Sequence, residues 1–375
     1  MATTTQTQPV AARDRILALD VLRGFAMVGV LVAYCVWSLG TAPDAQWSPL
    51  DKLLGDAVGF AVDGKFYTIL AFLFGLGFSL QLERAGDARA ALRTYRRRLA
   101  ALAGIGLAHS FLLRNGDILF PYAVTGFFLI PFRRASDRTI VVGAFIALLL
   151  PFAARWAWEA SGIPIPDRPD LRNAPYLVEN AAWVRYWMKT AIFTWPNNLT
   201  LFLFGFLAGR HRLIPRLSQQ PRALRRILVV GLVGAAALFF VSLKLTAWKV
   251  APSLAFTFQN WCLSSAYAAT LLLALRSRPG TALVAPLAPV GRMALTNYLL
   301  QAGIIVPLCL AFGWFDTFTP TRAFTLAFAV LLFQLPFSAW WLRRYRFGPA
   351  EWVWRLLTYG RVPAMKLKPG DYVAV

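Results

Sequence analysis

The sequence predicts an all-α, polytopic membrane protein, a helical bundle of about ten transmembrane helices with both termini cytoplasmic. Composition points there first: of 375 residues, 58% are hydrophobic and only 15% charged, against about 25% charged in a soluble domain. Mean hydropathy is +0.54. The apolar residues also gather in runs approaching the roughly 20 residues that cross about 30 Å of hydrocarbon as a helix. In lipid such runs can satisfy their own backbone hydrogen bonds only as helices.

Ten runs stand out, at Ile16–Leu39, Ala57–Leu82, Leu99–Leu113, Ile118–Phe132, Thr139–Trp158, Trp187–Gly209, Ile227–Leu245, Leu254–Leu275, Leu287–Phe312 and Ala323–Leu342. The third and fourth are short and joined by Arg114-Asn115-Gly116-Asp117, which predicts a tight helical hairpin. With these spans, 26 of the 39 Lys and Arg residues fall on the side of the N-terminus and 9 on the other, while Arg23, Lys65, Lys189 and Arg292 lie within or at the edge of spans. That bias places both termini inside. The net charge of +22 therefore reads as topology and contact with anionic lipid, and no nucleic-acid partner is expected.

Residues 1–15 are polar and read as a disordered cytoplasmic N-terminus; the run that follows is too long, and too charged at Asp20 and Arg23, for a signal peptide. The connection Arg155–Tyr186 carries Pro164, Pro166, Pro169 and Pro175, reads as extracytoplasmic, and has Trp156, Trp158, Trp183 and Trp187 as interfacial anchors. Pro349, Glu351 and the Trp352 and Trp354 pair predict a short interfacial helix on the cytoplasmic face, followed by a tail over 361–375. Cys35, Cys262 and Cys309 lie in apolar runs without CxxC spacing, which excludes a disulfide framework or a Cys-rich zinc site. The two histidines are too far apart in sequence to give a metal-ligand spacing.

Charge buried at mid-span costs at least about 2.5–3.5 kcal/mol per residue, so each embedded charge is a candidate functional group. Asp20 and Arg23, three apart on one helical face, are placed to pair. They form either a self-neutralised pair near the cytoplasmic end or a ligand-binding group. Lys65 falls in the outer third of the second span, where its stem can reach the interface; Gly75 and Gly77 beyond it permit close helix packing. His109 sits about 16 Å above the Arg96-Arg97-Arg98 run at 1.5 Å per residue, and Asp117, across the short turn, could orient its imidazole. His211, among Arg210, Arg212 and Arg216, reads as solvated basic surface. Trp195-Pro196-Asn197-Asn198 suggests a kinked sixth span presenting amides to a cavity. Asn297 and Gln301 share a face with Arg292 roughly below, as interhelical glue or as cavity groups.

Leu19-Asp20 through Arg23-Gly24, Gly64-Lys65-Phe66 with Leu73-Phe74-Gly75, Arg97-Arg98-Leu99 with Gly106-Leu107-Ala108-His109, and Gly116-Asp117-Ile118-Leu119 with Tyr122 resemble the bacterial YeiB-like membrane proteins. Gly291-Arg292-Met293-Ala294-Leu295-Thr296-Asn297-Tyr298, Gln301 and Phe347-Gly348-Pro349 through Trp354-Arg355 resemble the DUF418 domain that completes that family. The resemblance implies YeiB-like helices over 16–158, an extracytoplasmic loop over 159–186 and DUF418-like helices over 187–360. The family is similar to multi-span acyltransferases, including heparan-glucosaminide N-acetyltransferase and the acyltransferase-3 enzymes, which share an Asp-x-x-Arg-Gly first helix matched here by Asp20, Arg23 and Gly24.

What that similarity implies is transfer of an acyl group from a cytosolic acyl-CoA donor, with no covalently bound cofactor and no metal. The acceptor would be an envelope glycan, a lipid or a small molecule, and the site would lie in a multi-pass bacterial inner-membrane protein. His109 would be the general base and Asp117 its orienting partner. Asp20, Arg23, Lys65, Asn197, Arg292, Asn297 and Gln301 would bind substrate or donor. Membrane lipids are the expected partners, and a homodimer stays open. The competing expectation is a carrier or channel for a small polar or lipidic solute.

Overall fold

The computed structural model describes residues 12–38, 46–83, 88–113, 116–164, 166–169, 175–244, 251–315, 317–360, 362 and 364–367. Within them the chain is helical, without a named strand. Helix α1 (Ala12–Ala33) runs on through a π-helical turn at Tyr34–Ser38. Next come α2 (Pro49–Ala61), α3 (Lys65–Glu83), α4 (Ala88–Leu112), α5 (Leu119–Leu129) with a 3-10 extension over Ile130–Arg134, and α6 (Asp137–Ala160). The middle of the chain holds α7 (Tyr176–Lys189), α8 (Trp195–Arg210), α9 (Leu213–Ser218), α10 (Pro221–Lys244) and α11 (Ala251–Ala274). Last are α12 (Arg278–Val284), α13 (Leu287–Arg292), α14 (Ala294–Phe312), α15 (Pro320–Leu342) and α16 (Pro349–Tyr359). The expected N-terminal segment lies outside the described residues as far as residue 11, and α1 has already begun at Ala12. Arg114-Asn115 of the expected hairpin turn, Leu39 and Leu245 at two expected span ends, and most of the tail also lie outside them.

Among the described residues, six segments are long and apolar enough to cross a membrane: Leu17–Val36, Pro49–Glu83, Asp137–Ala160, Pro221–Ser242, Ala294–Phe312 and Pro320–Leu342. Their burial is uneven, 72% for the first and only 17% for Pro221–Ser242. α1 is therefore the central post, while α6, α10 and α15 turn Phe145, Ile146, Val230, Val233, Phe328 and Leu332 outward. Such an apolar exterior suits lipid and would be an aggregation liability in water.

Three expected spans are broken; Trp187–Gly209 is divided between α7 and α8, with a 3-10 turn at Ala191–Phe193 between them, and two others break inside their apolar runs. The run Ala57–Leu82 is divided between α2 and α3, because Gly64 adopts a left-handed φ of 78°, which stops a right-handed helix at small cost only when the residue is glycine. A break inside a candidate span leaves carbonyls that lipid cannot satisfy. The Val58 oxygen accepts from the Val62 and Asp63 amides at 2.8 and 2.9 Å. Lys65 Nζ donates to the Gly59 oxygen at 2.9 Å, and the Tyr267 hydroxyl to the Ala61 oxygen at 2.8 Å. Lys65 is thus fully buried, its ammonium over the Phe256 ring, and does not reach the interface. A cation at a helix C-terminus is also favoured by the helix dipole.

The run Leu287–Phe312 is divided at Met293 into α13 and α14. The opening amides of α14 donate to Glu351 of α16: Leu295 N and Thr296 N reach its Oε1 at 2.7 and 3.1 Å, and the Thr296 hydroxyl donates to Oε2. Burial pushes the Glu351 carboxyl above the usual range, against the downward pull of these bonds. Backbone meets backbone where α13 crosses α1. A Cβ added to Gly24 would fall on the Leu287 carbonyl oxygen, and one on Gly291 would fall on that of Asp20. Gly75 likewise faces the Phe202 backbone, whereas Gly77 faces open space.

Two further departures concern the middle of the chain. The expected extracytoplasmic connection contains α7, whose Asn180 donates through Nδ2 to the Phe111 carbonyl in the last turn of α4 at 3.1 Å. Pro196 opens α8 and does not kink it; at the first helical positions its missing N–H is not needed. His211 is paired, its Nε2 lying 2.6 Å from Asp137 Oδ2 on the exposed surface.

Gly24→Ala should lower the thermal midpoint of the protein in detergent, by the equivalent of about 1–3 kcal/mol for overpacking. Gly303→Ala, whose new Cβ meets nothing within 4 Å, should leave it unchanged or slightly raised. A Glu351 carboxyl raised on folding contributes stability that is complete in acid. That contribution is lost as pH climbs from the ordinary value of about 4.3 through the raised one. Wild-type stability should therefore fall relative to Glu351→Gln across that window, and parallel curves would refute burial as the controlling effect.

Candidate functional site

His109 lies in the last turn of α4 and Asp117 just ahead of α5. The close approach of these elements depends on Gly106, where a Cβ would crowd the Phe120 amide and Asp117 Oδ2. Asp117 Oδ2 accepts from the Phe120 amide at 2.7 Å, tying the carboxylate to the start of α5. Its Oδ1 stands 3.2 Å from His109 Nδ1, with both side chains 2% exposed or less. The alignment falls short of a hydrogen bond, and both imidazole nitrogens are buried without a hydrogen-bond partner among the described residues. A small ring rotation would give Nδ1–H to Asp117 and leave Nε2 as a free base.

Tyr298 of α14 completes the group. Its hydroxyl donates to Asp117 Oδ1 and accepts from the Ile118 amide, each at 3.2 Å, and its ring lies 4.9 Å from that of His109. Tyr298 also lines a cavity of about 810 Å³, whose walls include Arg23, Arg98, Arg292, Arg355 and Trp354 but neither His109 nor Asp117. Arg23 is held by Asp20 at 3.0 Å. Arg98 donates to Gln81 Oε1 at 3.2 Å and lies over the Trp354 ring, while the Trp354 indole donates to the Arg98 carbonyl at 2.9 Å. Four guanidinium groups around one hollow favour an anion, and the bidentate fork of Arg matches phosphate.

The other sequence candidates go elsewhere. Asn297 Nδ2 donates to Ser338 Oγ at 3.0 Å and to the Val290 carbonyl at 3.3 Å. Gln301 Nε2 donates to Gln334 Oε1 at 3.1 Å and to the Met27 carbonyl at 3.4 Å. Both amides therefore join α14 to α1, α13 and α15, the bland alternative, and line no part of the cavity. Asn197 sits at the start of α8, its side-chain oxygen buried without a partner among the described residues. Lys65 is committed to the α2 terminus. Of the expected set, the structure brings His109 and Asp117 together, and gathers Arg23, held by Asp20, and Arg292 at the cavity. Sequence reasoning missed Arg98, Tyr298, Trp354 and Arg355 as site residues. Their signal was membership in motifs that carry the family resemblance, whose local roles read as topology, packing or interface.

Comparison with known proteins matches residues 15–166 to a family model described as heparan-alpha-glucosaminide N-acetyltransferase, catalytic. Residues 208–361 match one described as a protein of unknown function, DUF418. The chain is 32% identical over 369 residues to an uncharacterized 39.9 kDa protein in the amylase 3' region of Bacillus acidopullulyticus, covering 97% of this chain and 99% of that one. It is 28% identical over 398 residues to the uncharacterized protein YxaH of Bacillus subtilis (strain 168), covering 94% and 96% of the two chains. With the uncharacterized protein YeiB of Escherichia coli (strain K12) it shares 29% identity over 404 residues, covering 92% and 96%.

If the amide network is glue, a double-mutant cycle between Gln301→Leu and Gln334→Leu should give a coupling of about 0.6 kcal/mol, up to roughly 1.7, as for polar pairs in other membrane bundles. Zero coupling in unfolding measurements would break the assignment.

Proposed function

We propose, from the premise that this chain belongs to the family of YeiB-like membrane proteins with a DUF418 C-terminal half, that it is a membrane-embedded acyltransferase. Its donor is an acyl-CoA-type thioester, and its acceptor an envelope glycan, a lipid or a small molecule. The six candidate spans, together with α4, α5 with its 3-10 extension, α8 and α11, make ten crossings of the bacterial inner membrane. The positive-inside bias then sets both termini in the cytoplasm.

The observation that supports this reading is Tyr298, which lines the basic cavity and also contacts both His109 and Asp117. Acyl transfer needs a base beside an acceptor hydroxyl or amine, and a place for the donor's phosphates. Neutral His109 takes the acceptor's proton through Nε2 as the acceptor oxygen or nitrogen bonds to the thioester carbon. Asp117 fixes the tautomer and steadies the imidazolium that results. The tetrahedral oxyanion collapses, the carbon–sulfur bond breaks, and the imidazolium returns the proton to the leaving thiolate. Arg23, oriented by Asp20, holds a phosphate of the donor or the oxyanion. Asn297 is committed to Ser338 and the Val290 carbonyl, and Asn197, at the start of α8, is assigned no step.

The carrier reading draws on the helix break at Gly64, since interrupted helices form solute sites in transporters. One assay separates the two. Purified protein given acetyl-CoA and an envelope extract as acceptor source should release free thiol. His109→Ala should cut the rate by about 10²–10⁴-fold, the usual worth of general acid–base catalysis, at unchanged thermal midpoint. Solute uptake in liposomes without thiol release, or full turnover in the variant, would reject the enzymatic mechanism.

A further inference from the structure

The cavity is built from both halves of the chain. Arg23 and Arg98 come from the residues matched to the acetyltransferase model, and Arg292, Trp354 and Arg355 from those matched to DUF418. We infer that the C-terminal half is the second jaw of a composite phosphate-ester site, with Arg292 and Arg355 binding the ligand's phosphates opposite Arg23 and Arg98. The ligand class rests on the acyltransferase reading only for naming the donor; the charge and geometry favour a phosphate-bearing anion in either case.

Charge bookkeeping around the hollow carries the inference. Among the described residues, Glu351 is the one carboxylate lining it. Its hydrogen bonds go to two backbone amides and a hydroxyl at the start of α14, and it forms no ion pair with an arginine among the described residues. Asp20 is paired with Arg23 and also lies within electrostatic reach of Arg292, so one carboxylate serves two of the guanidinium groups, and Arg98 has the neutral Gln81. Arg292 and Arg355 form no ion pair with a carboxylate among the described residues, and Arg355 rests on the Phe347 ring. Four guanidinium groups around one hollow repel one another, and an anion that joins them relieves that repulsion.

The wall is also preorganised. α16 is fixed by Glu351 against α14 and by the Trp354 indole against the Arg98 carbonyl, so its arginine is presented without a large ordering cost. At about 810 Å³ the cavity is far larger than one phosphate needs and is of a size that takes a whole cofactor-like molecule.

The test uses full-length protein in phosphatidylcholine nanodiscs, titrated with coenzyme A, ADP and, as the phosphate-free control, adenosine. Coenzyme A and ADP should bind, more weakly as salt rises, and adenosine should not. Arg292→Gln and Arg355→Gln should each weaken binding about tenfold or more, the worth of a charge-assisted hydrogen bond. Arg225→Gln and Arg278→Gln, exposed and away from the cavity, should leave it unchanged at the same thermal midpoint.

If ADP fails to bind while phosphatidylglycerol stays with the wild type in native mass spectrometry and is lost from Arg355→Gln, the same phosphate chemistry is supplied by a lipid headgroup. Equal binding in wild type and both cavity variants, or equal losses in the exposed controls, overturns the inference. Thiol release at unchanged KM in both cavity variants would overturn it too, while sparing the acyltransferase reading. Absent thiol release with intact, arginine-dependent ADP binding would do the reverse.

Discussion

Within hydrocarbon, a backbone carbonyl or amide that ends a helix has no water to turn to, and this protein ends several helices inside its candidate spans or against them. Side chains supply the missing partners. Lys65 and Tyr267 answer the carbonyls of α2, Asn180 answers one of α4, Asp117 takes an amide of α5 and Glu351 takes two of α14. Each unsatisfied group would cost several kcal/mol. Most of the buried polar residues that stand out in this greasy sequence therefore have a structural assignment before any chemical one.

That assignment separates the candidate catalytic groups from the rest. Once Lys65, Asn297 and Gln301 are accounted for by capping and interhelical hydrogen bonds, the unexplained polarity is concentrated. Its main parts are an imidazole without a hydrogen-bond partner among the described residues, beside a carboxylate, and a cavity wall where four arginines face one lining carboxylate. The two are linked by one tyrosine. Asp117 serves both purposes, since the oxygen that ties it to α5 is not the one that faces His109.

The interhelical contacts depend on glycine in the same way. α13 can cross α1 at backbone distance only because Gly24 and Gly291 carry no side chain. This contact brings Arg292 of the C-terminal half beside Asp20 and Arg23 of the N-terminal half. The Asp-x-x-Arg-Gly pattern thus has three separate tasks: Asp20 orients, Arg23 lines the cavity, and Gly24 admits the neighbouring helix.

Helical class, membrane character and the pairing of His109 with Asp117 were legible in the sequence, since apolar run length and a short turn fix them through local chemistry. So was α16, from Pro349 at its first turn. The breaks at Gly64 and Met293 were not, because the apolar runs resume beyond Asp63-Gly64-Lys65 and Arg292, and partners such as Tyr267 and Glu351 that help satisfy the freed backbone groups are distant in sequence. The cavity was also hidden: Arg98 and Arg355 look in sequence like ordinary cytoplasmic charge. Which arginines converge is set by helix crossings, and crossings depend on side chains that meet only when the whole bundle is packed.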